Sequence, residues 1–142
     1  MSDEGRVLAL DVGDRRIGLA LSDLSGSLAR TAGVVVRRGP RKDVEAVQET
    51  VRREGAIQVV VGLPLSLSGS VGPQAQSVLG FVERLREVLS VPVDTWDERY
   101  STVEAEAILR GQGVKSRKIR ERVDEVAAAT ILQTYLDARR SS

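Results

Sequence analysis

The chain has 142 residues, enough for one domain around a single core. It contains no histidine and no cysteine, which excludes Ser-His-Asp triads, imidazole bases, thiol nucleophiles, disulfide frameworks and thiolate zinc sites. Lys and Arg number 21 against 20 Asp and Glu, so affinity for nucleic acid must come from local patches, not from a global field.

In chain order, Val7-Leu8-Ala9-Leu10 reads as a strand buried on both faces, and it ends on Asp11. A tight turn at Gly13-Asp14-Arg15 leads into a strand over Ile17–Ser22. After the Ser25-Gly26-Ser27 turn, a β-branched strand runs from Leu28 to Arg37. These three form an antiparallel meander. Residues 41–54 carry Val44, Val47 and Val51 at helical spacing, and Gly55 stops that helix. Ile57–Val61 is a further buried strand, running into Gly62-Leu63-Pro64. A Gly/Ser-rich loop from Ser66 to Gly72 precedes a helix that starts at Pro73 and ends near Leu89. Val91–Trp96 is a short strand. Ser101-Thr102-Val103-Glu104 has the form of a capping box opening a helix that ends near Gly111 or Gly113. A long helix over Arg117–Ala138 completes the chain. The expected fold is α/β: a mixed five-stranded sheet, three antiparallel strands then two parallel, with helices on both faces. This order is similar to the ribonuclease H-like fold. Residues 1–142 are expected to form one domain.

Three acids stand out. Asp11 ends a buried strand, where a carboxylate is costly unless paired, protonated or bound to a cation. Asp97 and Glu98 directly follow the strand ending at Trp96, and the weak alternation there does not choose between them. Asp124 shares a helix face with Ala127, Ala128, Ile131 and Tyr135. The ends of the first, fourth and fifth strands adjoin in such a sheet, so these acids are expected to meet. With no nitrogen or sulfur ligand available, an all-carboxylate set suits Mg²⁺ or Mn²⁺. Two such ions about 4 Å apart activate water and stabilise the leaving oxygen of a phosphodiester. The plainer alternatives are an Asx cap for Asp11, a helix-terminal acid for Asp97 or Glu98, and an ion pair with Arg120 or Lys118 for Asp124.

Basic residues sit close by in sequence: Arg15 and Arg16, the group Arg37, Arg38, Arg41 and Lys42, and a cluster from Lys115 to Arg122. Such groups grip phosphates on either side of a scissile bond, or form a solvated face. The backbone N–H groups after Gly72 are a weaker candidate for a phosphate. Aromatic residues are too few for a base-stacking platform. No apolar run approaches a membrane span, the N-terminus is acidic without a signal-peptide core, and the missing cysteine fits a reducing cytoplasm.

Taken together, the motifs resemble the YqgF/RuvX family of Holliday junction resolvases. The matching pieces are Leu10-Asp11-Val12-Gly13 with Arg16-Ile17-Gly18, Val61-Gly62-Leu63-Pro64, Gly69 to Pro73, Asp97-Glu98-Arg99 with Ser101-Thr102, and Val123-Asp124 with Ala127-Ala128. Tyr100 stands where leucine or phenylalanine is more usual. The resemblance implies a ribonuclease H-like nuclease related to RuvC, with Asp11, Glu98 and Asp124 as the metal-binding acids. Arg15, Arg16, Arg99, Lys115, Arg117 and Lys118 are the expected phosphate contacts. It also implies one of two substrates, a four-way DNA junction or the precursor of 16S rRNA. The first, needing two symmetric cuts, favours a homodimer. Two rival readings remain. Asp11-x-Gly13 followed by Gly18 also resembles the phosphate hairpin of actin-like sugar kinases, which need a second domain. The other is a non-catalytic nucleic-acid-binding module whose acids are structural.

Overall fold

The computed structural model describes residues 5–66, 68–98 and 116–140, with side chains throughout except at 116–123. The elements are β1 (Arg6–Val12), β2 (Arg16–Ser22), β3 (Ala29–Val36), α1 (Pro40–Glu54), β4 (Ala56–Leu63), α2 (Pro73–Val88), β5 (Val93–Asp97) and α3 (Ser116–Arg140). Each matches a sequence expectation to within a few residues. The helix expected from Ser101, and Arg99 and Lys115, lie outside the described residues.

One sheet of five strands runs in the order β3-β2-β1-β4-β5. The first three strands are antiparallel, and β4 and β5 join β1 in parallel. Buried apolar runs explain why β1 and β4 occupy the middle: Val7 to Leu10 and Val59 to Val61 are at most 1% exposed. Alternation then divides them between two layers. Leu8, Leu10, Val59, Val61 and Val93 pack under α1 and α2 with Val47, Val82 and Leu85. Val7, Ala9 and Val60 face α3, where Ala128, Leu132 and Leu136 meet them. Asp11 continues the Val7-Ala9 series and therefore belongs to the α3 layer. No helix among the described residues is long and apolar enough to cross a membrane.

The turn beyond Asp11 is fixed from outside. Gly13 N–H donates to the Arg16 carbonyl at 2.8 Å, closing the β1–β2 hairpin. Arg37 ties that turn to α1: its N–H donates to the Arg15 carbonyl, its Nη1 to the Gly13 carbonyl, and its Nε to Asp43. Asp43 is 1% exposed and also accepts the Arg38 N–H. Arg37, one of the basic group considered as a phosphate contact, is thus a structural clamp on the hairpin.

Candidate active site

Asp11, Gly62 and the residue after β5 lie at the same end of three consecutive strands. Leu10 pairs with Val61, and Gly62 pairs with Trp96. Glu98 extends this pairing by one bond, its N–H donating to the Leu63 carbonyl at 3.2 Å. Trp96 packs in the α3 layer, so alternation carries Glu98 to the same face and Asp97 to the opposite one. Of the two acids at the end of β5, it is Glu98 that shares a face with Asp11.

Between them stands β4, and it presents no side chain. A Cβ at Gly62 would occupy the place of the Glu98 carboxylate and stand 2.6 Å from Ile131 Cδ1. The glycine is the gap through which Asp11 and Glu98 reach each other, and their carboxyl groups share a hydrogen bond. A second glycine brings in α3. Gly18 pairs with Asp11, and a Cβ there would strike the Asp124 carbonyl oxygen and lie 2.9 Å from the Glu125 nitrogen. This close approach sets Asp124 beside the pair.

The electrostatics follow from crowding acids in a poorly solvated place. Burial raises the Asp11 pKa from 3.8 to about 6, the Glu98 hydrogen bond opposing this and the Asp124 charge adding to it. Burial, then the Asp11 charge, the hydrogen bond to Asp11 and the Asp97 charge raise Glu98 from 4.5 to about 9. Near neutral pH the two carboxyl groups therefore hold about one proton between them. Asp124 is held differently: Arg16 Nε donates to its Oδ2 at 3.0 Å. The side chains of Arg120 and Lys118, the partners considered from helical spacing, lie outside the described residues.

The expected triad is thus assembled as a pair with a third acid alongside. Among the described residues no three acids converge at metal-ligand distance. Asp11 and Glu98 meet each other, and Asp124 turns to Arg16. The pair nevertheless fits a hard divalent cation. Its donors are all oxygen, its two carboxyls face one another across a glycine gap, and Mg²⁺ ordinarily takes only one or two protein carboxylates. Of the expected phosphate contacts, Arg15 and Arg16 are exposed on the hairpin beside the pair. Arg117 and Lys118 lie on the first turn of α3, their side chains outside the described set. Residue-type patterns could not reveal Gly18 and Gly62 as site residues. Their signal was indirect, a glycine interrupting an otherwise apolar strand.

The RuvX family model, described as Holliday junction resolvase, matches residues 5–138. A protein of Chloroflexus aggregans, provisionally named a pre-16S rRNA nuclease, is 45% identical over 98% of both chains. One of Anaeromyxobacter dehalogenans with the same name is 47% identical over 94% of this chain and 98% of its own. Among solved structures, Thermus thermophilus RuvC in complex with a Holliday junction superposes with a TM-score of 0.61 at 22% identity, over 95% of this chain and 96% of that one. The fowlpox virus resolvase with junction DNA gives 0.58 at 9% identity, over 94% and 98%. These two likenesses establish the shared fold.

Proposed function

Since the chain belongs to the RuvX family, we propose that it is a divalent-cation-dependent endonuclease hydrolysing phosphodiester bonds in structured nucleic acid. The observation that carries this reading is the Asp11–Glu98 carboxyl pair meeting across Gly62, with Asp124 beside it. Asp11 and Glu98 would hold Mg²⁺ or Mn²⁺, and Asp124 would complete the set. A cation bound there supplies Lewis-acid activation of water and neutralises charge at the scissile phosphate. The pair must release its shared proton before both carboxylates can serve as ligands. Arg15 and Arg16, on the hairpin beside the acids, would orient the phosphate; Arg99, Lys115, Arg117 and Lys118 would extend that grip.

Two substrates fit: a four-way DNA junction, as the family description and the RuvC fold suggest, or precursor 16S rRNA, as the relatives' names suggest. On a junction the enzyme would act as a homodimer. In either case it would work in the cytoplasm. The test is cleavage of a four-way junction, a matched duplex and a precursor-16S fragment by wild type and Asp11→Asn, with Mg²⁺, Mn²⁺ or EDTA. The expected result is cation-dependent cutting of a structured substrate that Asp11→Asn lowers about 100-fold or more, ~2.7 kcal/mol in barrier. The preferred substrate decides between the two roles. Wild type that cuts none of them, or a mutant that cuts equally well, overturns the proposal.

A further inference from the structure

Asp124 has a partner of its own. Arg16 opens β2 and donates through Nε to Asp124 Oδ2 at 3.0 Å. Its side chain is 45% exposed, that of Asp124 21%. Among the described residues its terminal amino groups make no hydrogen bond, so two strong donors remain for the oxygens of a phosphate. Two residues on, Gly18 fixes the backbone of Asp124 against β2, which puts the carboxylate within reach of two alternatives. One is Arg16; the other is the pair whose Asp11 already feels the Asp124 charge.

Building on the nuclease reading above, we infer that Arg16 is a positioning residue that withholds Asp124 from the cation until a substrate phosphate draws the guanidinium away. Phosphate and cation then reinforce each other's binding, because each needs the same ion pair broken. Free protein holds its cation weakly, and the site is completed on nucleic acid.

The test is calorimetric titration of Mn²⁺ into wild type, Arg16→Gln, Asp124→Asn and the double variant, without nucleic acid. Arg16→Gln is expected to bind Mn²⁺ about 10-fold more tightly, ~1.4 kcal/mol. In the Asp124→Asn background the same substitution is expected to change nothing. An equal gain in both backgrounds would reduce Arg16 to a general repulsive charge and overturn the inference. So would the absence of any gain, while wild-type Mn²⁺ binding would leave the nuclease reading standing. Absence of Mn²⁺ binding in both wild type and Arg16→Gln sinks both. Should Arg16→Gln fail to unfold cooperatively, Arg16→Met, which keeps the apolar stem, carries the same expectations.

Discussion

A carboxylate at the end of a buried strand keeps its charge only if its surroundings compensate it. For Asp11 the compensation is a proton shared with Glu98, held on the pair by burial and then by the crowding of acids. Glu98→Gln preserves this contact, since an amide N–H can donate to Asp11 as the acid does, but it removes a ligand oxygen's charge. Cleavage is expected to fall about 100-fold, ~2.7 kcal/mol, with folding unimpaired. Asp97 lies on the other face of the same strand end, and Asp97→Asn is expected to leave the maximal rate within about 3-fold, ~0.65 kcal/mol. Because the Asp97 charge helps raise Glu98, its removal lowers the Glu98 pKa and shifts the rise of activity to lower pH. Initial rates across pH for the two variants settle the assignment; a larger loss in Asp97→Asn than in Glu98→Gln would reverse it. The motif resemblance pointed to Glu98, but the alternation of β5 did not. A five-residue strand with a single buried aliphatic has too little alternation, and the face is set by Trp96 packing on α3.

At the scale of elements, two strands yield their side chains so that others can meet. Gly62 opens β4 between Asp11 and Glu98, and Gly18 lets α3 touch β2. Gly62→Ala is expected to cost about 1–3 kcal/mol through overpacking and to displace Glu98, abolishing stabilisation by Mg²⁺. Gly18→Ala meets main chain, which cannot rotate aside, and is expected to be the more destabilising of the two. Thermal melts with and without Mg²⁺ check both; a Gly62→Ala protein still stabilised by Mg²⁺ like wild type would show that the gap is not needed. The strands themselves were legible because apolar runs and turn residues are local signals, and the helices because period 3.6 is local too. The Arg16–Asp124 contact was not, since it spans 108 positions and obeys no spacing rule. Arg37 shows the same limit: it looked like part of a basic patch, and only its three partners reveal a clamp.

The strand order brings Asp11 and Glu98, far apart in sequence, to the same end of the sheet's strands, and this couples the site to the stability of the whole molecule. Asp11 and Glu98 bind protons more tightly in the folded protein, near pH 6 and 9, than in the unfolded chain, near 3.8 and 4.5. As pH rises through that window the unfolded chain loses protons that the folded one keeps, so unfolding becomes more favourable. Asp23 and Glu49, held below their ordinary values by the Ser27 backbone N–H and by Arg52, act in the opposite sense only as pH falls below about 4. In EDTA the protein is therefore expected to lose stability steadily between roughly pH 5 and 9. Trp96, the one tryptophan, lies in the site layer against Tyr135 with ring centroids 5.3 Å apart, and its fluorescence reports the melt. Mg²⁺ requires the deprotonated pair, so its stabilising effect should grow as pH rises, and Glu98→Gln should flatten both dependences. A melting temperature in EDTA that stays level or climbs from pH 5 to 9 would contradict the shared proton. The expected loss of stability with pH and the affinity for a cation have one origin: two acids that the fold presses together across a missing side chain.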